Sequence, residues 1–192
     1  MIDMEEFETQ NLKIRKFKLE DAEDVYKNLG TEKELFECLG YNMHKTVRQT
    51  EIMISSFIYE NEKMNELIWA IEDKKKHEVV GYINASERSE ANRICKFKCG
   101  IALDLAESGL LEEALKVVIN YLLKTGKFDV IISEFFDGCK KLVEAKSRIL
   151  ENVGMVKEAI LHKRIINSKT GLAENNLFNG TIKLILDYLI FI

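Results

Sequence analysis

The stretch CKFKCGIALDLAESGLLEEALKVVINYLL, residues 95–123, constrains the fold more than any other part of the chain. Its first part reads as a β-strand, its middle as a short loop ending in Gly109, and the rest as a long apolar helix. A strand that feeds an apolar helix in this way points to an α/β layer architecture. NLKIRKF (11–17) alternates polar and apolar residues, as a half-buried strand does. LEDAEDVYKNLG (19–30) has acidic residues at its start and Gly30 at its end, which suits a helix. TVRQTEIMISSFIYE (46–60) carries Ile52, Met53, Phe57 and Ile58 at helical spacing. LIWAIED (67–73) and VVGYINASER (79–88) form an expected hairpin around Lys74, Lys75 and Lys76. RICKFKCGIAL (93–103) is the fourth expected strand, and DVIISEFF (129–136), rich in β-branched and aromatic residues, is the fifth. KKLVEAKSRILENVG reads as an amphipathic helix closed by Gly154. MVKEAILHKRIIN and ENNLFNGTIKLILDY supply the last two strands. The expected order is strand, two helices, three strands, helix, strand, helix, two strands, in one domain over residues 1–192.

Composition narrows the function classes. The chain is 46% hydrophobic and 31% charged, as in a globular protein with a real core. A net charge of -4 offers no basic patch for nucleic acid or an anionic membrane, and the lysine run reads as a solvated turn. No apolar run approaches the roughly 18 to 20 residues that span a bilayer. The acidic start MIDMEEFETQ lacks the regions of a signal peptide, so a cytoplasmic location with reduced cysteines is expected. Proline is absent, so turns must rely on Gly, Asn and Asp. No metal is expected: on a strand Cys95 and Cys99 lie about 13 Å apart, and His44, His77 and His162 show no ligand spacing.

The 95–123 stretch, SRILENVGM (147–155), the opening LKIRKFKLEDAEDVYKNLG and the pair IWAIED and VVGYINA together resemble the GNAT (Gcn5-related) N-acetyltransferases. The likeness is to the branch that acetylates ribosomal-protein N-termini and related amines. It implies a mixed, mostly antiparallel seven-stranded sheet flanked by about four helices, splayed between strands four and five. The pantetheine arm of acetyl-CoA would lie in that gap, paired with backbone at Ile101, Ala102 and Leu103. The N–H groups of Ser108, Gly109, Leu110 and Leu111 would hold the pyrophosphate, because a helix N-terminus offers unpaired donors and a partial positive charge. Lys146 would reach a phosphate.

The chain also departs from the family pattern. The loop DLAESG is shorter, Glu107 replaces the first loop glycine, and the usual Gln or Arg is missing, with Asp104 and Leu105 nearby. Val143 replaces an Asn that contacts the arm, Lys146 a Ser near the thiol, and Lys98 a Glu before the strand-four glycine. Carboxylates at Asp104 and Glu107 would repel a pyrophosphate unless they point away.

Acetyl transfer requires that the amine lose a proton, the carbonyl be polarised and the leaving thiolate be protonated. Glu134 is the candidate base, sharing a face with Ile132 and Phe136; a solvent-facing glutamate is the other reading. Tyr82 acts as an acid, positions the substrate, or packs on the core. The expected function is an acetyl-CoA-dependent N-acetyltransferase acting on a primary amine, of a protein N-terminus or a small molecule. The alternative is a catalytically degenerate GNAT-fold protein serving as a binding or regulatory module. The two differ in whether the loop presents open N–H groups or blocks them. Residues 30–66, with Tyr41, His44 and Tyr59, would contact the acceptor. LILDYLIFI (184–192) completes the core or forms a homodimer interface.

Overall fold

The alternation read in NLKIRKF and the later strand segments builds a single sheet in the computed structural model, which describes residues 4–31, 43–89, 91–124, 128–136, 140–166, 171 and 173–182. Its strands are β1 (Phe7–Glu8), β2 (Leu12–Lys16), β3 (Leu67–Asp73), β4 (Glu78–Ser89), β5 (Ile94–Ile101), β6 (Val130–Phe136), β7 (Val156–Ile166) and β8 (Ala173–Ile182). They stand in the order β1-β2-β3-β4-β5-β6-β8-β7. Every neighbouring pair is antiparallel except β5 and β6. The expected mixed, mostly antiparallel sheet is therefore present, with eight strands rather than seven. The extra one, β1, folds back so that Phe7 faces Ile14, and two residues are too few to show a period. The fourth and fifth strands of the sequence reading are β5 and β6.

Among the described residues four helices accompany the sheet: α1 (Ala22–Val25), α2 (Val47–Glu62), α3 (Leu110–Lys124) and α4 (Lys140–Asn152). The helix expected over 19–30 is not uniform. It enters through a tight turn at Leu19–Asp21 and leaves through a wide π turn at Tyr26–Gly30. Gly30 is buried, and an added Cβ would lie 3.3 Å from Tyr26 and 3.4 Å from His44 and Thr50. It permits close packing instead of a left-handed stop. In α2, Met53, Phe57 and Ile58 pack against the core as the spacing predicts. Ile52 is exposed, and Thr50 and Ile54 are the fully buried residues of this helix.

Two hydrophobic cores cover the two faces of the sheet. Phe17, Ile54, Ile68 and Val79 belong to the core under α1 and α2. Trp69, Phe97, Leu115 and Leu122 belong to the larger core under α3 and α4. Strand alternation sends Cys95, Phe97, Cys99 and Ile101 into that larger core, so Lys96, Lys98 and Gly100 face α2.

The turns are made without proline. In the lysine turn, the Asp73 carboxylate accepts the N–H groups of Lys75 (2.8 Å) and Lys76 (3.3 Å), and His77 takes a positive φ of 56°. At the end of α4, Gly154 (φ 87°) donates to Glu151 and Met155 donates to Leu150, both at 2.9 Å, which satisfies the last carbonyls. No helix among the described residues is long and apolar enough to cross a membrane. The apolar stretch 184–192, Cys38, Tyr41 and Cys139 lie outside the described residues.

Candidate active site

The parallel pair β5–β6 runs from Ile94 opposite Val130 to Phe97 opposite Ser133, and pairing stops there although both strands continue. The other edge of β5 stays paired with β4 as far as Ile101 opposite Gly81, and Ala102 N–H donates to Val80 at 2.8 Å. Hydrogen-bonded positions alternate along an antiparallel ladder. Cys99 and Ile101 therefore turn their N–H and C=O groups to the open side, where no strand meets them among the described residues. Ala102 is bonded at both ends, since its carbonyl accepts Leu105 N–H at 3.0 Å. Leu103 opens a tight turn at Leu103–Leu105. Of the three expected backbone positions, Ile101 faces the gap, while Ala102 and Leu103 carry the chain out of the strand.

That chain leads to the start of α3. Gly109 has φ +80° and nothing within 4 Å of an added Cβ, so conformation and not crowding requires glycine there. Ser108 N–H is spent on Leu105 at 3.0 Å, and Leu110 N–H meets Ser108 Oγ at 3.3 Å. The N–H groups of Gly109, Leu111 and Glu112 have no acceptor among the described residues. They sit at the positive end of a 15-residue helix, which suits an anion. Both loop carboxylates are drawn aside. Asp104 lies 3.6 Å from Lys76 and Glu107 lies 3.4 Å from Arg148, with the carboxylate side chains 71% and 84% exposed. Water therefore screens what repulsion remains.

Tyr82 and Glu134 lie on the α2 face of the sheet, on the two strands that flank β5. Tyr82 stands opposite Gly100, and a Cβ on Gly100 would come within 2.9 Å of its ring. The ring thus lies against bare strand backbone and packs on the smaller core. Glu134 Oε1 is 2.8 Å from Lys96 Nζ, which also contacts Glu87 Oε2 at 2.8 Å. The hydrogen bond to Glu134, then that to Glu87, raises the Lys96 pKa and keeps the ammonium charged. Lys98 is exposed beside Asn84, whose amide donates to Glu66 at 2.8 Å.

Lys146 projects from α4 toward β6, its ammonium 4.9 Å from the centre of the Phe135 ring. Arg148, not Lys146, reaches the loop. Burial pushes the Cys99 thiol up, and the charge of Lys146 opposes that shift. Ser133 was not singled out by the sequence reading. It is fully buried and its Oγ has no partner among the described residues. Such a group costs roughly 1–3 kcal/mol. The available signal was a lone hydroxyl inside the apolar run VIISEFF. Among the described residues no group of three or more His, Cys, Asp or Glu is placed to hold a metal.

The comparisons with known proteins agree on the family and the fold. The Acetyltransferase (GNAT) domain family matches residues 11–156, well over half of the chain. The chain belongs to this family of acetyltransferases, whose acyl donor is acetyl-CoA. Compared by sequence with curated proteins, it matches none. Among solved structures it is similar to the ribosomal-protein-S5-alanine acetyltransferase of Vibrio fischeri, at 16% identity and a TM-score of 0.78, covering 93% of this chain and 97% of that one. The microcin C7 self-immunity acetyltransferase MccE, in complex with acetyl-CoA and AMP, aligns at 16% identity and a TM-score of 0.75, covering 91% and 93%. Spermidine N-acetyltransferase from Vibrio cholerae, in complex with CoA and spermine, aligns at 16% identity and a TM-score of 0.71, covering 92% and 98%. At these identities the likenesses concern the fold. For the donor, this chain's own residues fit: an open strand edge, free helix N–H groups and carboxylates turned aside.

Proposed function

We propose that this acetyltransferase transfers the acetyl group of acetyl-CoA to a primary amine, on a protein N-terminus or a small molecule. The observation that carries the reading is the continuous path from the unpaired backbone of Cys99 and Ile101 to the open N–H groups at Gly109, Leu111 and Glu112. Ile101 receives the pantetheine arm, with Ala102 and Leu103 leading out of the strand. The N–H groups of Gly109, Leu111 and Glu112 receive the pyrophosphate, while those of Ser108 and Leu110 are already engaged. When bound, acetyl-CoA supplies an activated acetyl group as a thioester. Glu134 accepts a proton from the amine across the gap, and Tyr82 positions the acceptor over Gly100. The tied-back Asp104 and Glu107 count against the reading in which the altered loop excludes the donor.

Calorimetric titration of acetyl-CoA into the purified protein tests this. Micromolar binding supports it and opens a screen of peptides and polyamines as acceptors. No binding at millimolar ligand overturns it and leaves the degenerate binding module. Gel filtration with and without residues 184–192 tests the proposed homodimer, and an unchanged monomer would sink it.

A further inference from the structure

The face of the sheet that carries Tyr82 and Glu134 also carries Asn84 and Lys98, which the proposed function leaves unused. The register sets Lys98 opposite Asn84, which brings their Cβ atoms to about 5 Å. Strand alternation keeps both on the α2 face, Asn84 two residues after Tyr82 and Lys98 between Lys96 and Gly100. On β6, Glu134 follows Ser133, which is paired with Phe97, the residue before Lys98. Lys98 and Glu134 are therefore the first residues past the last rung of the β5–β6 pair, on one face.

The carboxylates of this face are already engaged. Glu134 and Glu87 both hold Lys96 at 2.8 Å. Glu66 accepts the Asn84 side-chain N–H at 2.8 Å. That bond fixes the amide, because a carboxylate accepts and only the nitrogen end of the amide donates. The oxygen end, Asn84 Oδ1, is buried and has no donor among the described residues. Lys98 does not close onto it. Lys98 is exposed, and its ammonium has neither an ion pair nor a hydrogen-bond acceptor among the described residues. Facing residues of one strand pair thus offer an acceptor that lacks a donor and a cation that lacks an anion.

A ligand that answers both has an N–H group and a negative charge close together. The N–H group compensates Asn84 Oδ1, which is otherwise buried without a hydrogen bond. A carboxylate on Lys98 gains a charge-assisted hydrogen bond. A polyamine answers only the first need, and its further ammonium groups would stand near Lys98 and Lys96, where like charges repel. We propose that the acceptor is an amine that also carries a carboxylate, which Lys98 receives while Asn84 Oδ1 accepts an N–H group; this rests on the acetyl-CoA reading above. Lys98 and Asn84 then set specificity, and the proton passes at Glu134.

The test is calorimetric binding of four probes to the protein saturated with CoA, which has no acetyl group to transfer. The probes are aspartate, the peptide amide Asp-Ala-Ala, the peptide amide Ala-Ala-Ala and spermidine. At least one of the two carboxylated probes is expected to bind about tenfold more tightly than both others. Preference for free aspartate assigns a small-molecule acceptor, and preference for the aspartyl peptide assigns a protein N-terminus. Lys98→Glu should reverse the order in favour of spermidine, with the thermal midpoint and CoA affinity unchanged, because Lys98 is exposed and unpaired. Asn84→Ala should weaken the preferred probe several-fold and leave CoA affinity unchanged. Spermidine or Ala-Ala-Ala amide binding as tightly as the carboxylated probes would overturn the inference, as would an order that Lys98→Glu leaves intact. If the wild type binds neither acetyl-CoA nor CoA, the acetyl-CoA reading fails and this one with it. If it binds them and prefers spermidine, only this inference fails.

Discussion

The two ends of the β5–β6 pair are built from the same strands and behave differently. At the closed end, Cys95, Phe97 and Ile131 are buried and the backbone ladder is complete from Ile94 opposite Val130 to Phe97 opposite Ser133. At the open end, Cys99 and Ile101 have no backbone partner on that side among the described residues, nor has the Ser133 hydroxyl, and Lys146 rests on an aromatic ring. Backbone groups and buried hydroxyls are normally satisfied within the protein. A parallel pair buried at one end supplies the rigidity that keeps the other end parted.

The sharpest way to break this contrast is to damage the closed end. Phe97→Ala removes a side chain that is 2% exposed and is expected to cost about 3–5 kcal/mol in denaturant melts. A loss below one kcal/mol would mean that the closed end is not what holds the strands. Glu134→Gln acts at the open end on the other face. It is expected to lower kcat by roughly 10² to 10⁴ while acetyl-CoA affinity measured by calorimetry stays the same. Turnover close to wild type would make the Lys96–Glu134 pair structural. Gly109→Ala places a Cβ where φ is +80° with free space around it. The strain of about 1–2 kcal/mol should appear as lower stability, and displaced N–H groups should lower acetyl-CoA affinity by more than tenfold. Equal affinity would detach the loop from donor binding.

The smallest effect lies where His44 meets the start of α2. His44 accepts from or donates to Thr50 Oγ1 at 2.8 Å, and burial holds its pKa below the ordinary 6.5. The folded state therefore binds this proton less readily than the unfolded chain. Stability from this group is fully present above pH 6.5 and falls as pH drops through the lowered folded value. His44→Gln should flatten that part of a stability–pH curve, and an unchanged slope would assign it to other groups.

Much of the fold was legible because local chemistry spoke for itself. Gly154 reads as a left-handed helix stop and is one, since only local backbone geometry is involved. The lysine turn was legible for the same reason. Gly30 looked alike on paper, yet it serves Tyr26, His44 and Thr50, two of which come from beyond the segment 19–30. The site was legible only in outline. Gly109 and the start of α3 follow from a strand, a loop and a helix in sequence. Ser133 was invisible, because a serine in an apolar strand looks the same whether or not a partner waits across the sheet.

The sequence by itself determined the order of the longer strands and helices and the glycine at the head of α3, because period and backbone conformation are properties of neighbouring residues. Only the tertiary structure decided that Asp104 and Glu107 are drawn aside by Lys76 and Arg148. It alone decided that Lys146 meets Phe135 and that β5 and β6 part after Phe97. Each of these depends on which groups, distant in the chain, end up within a few ångströms of one another, where charge, burial and hydrogen bonding act.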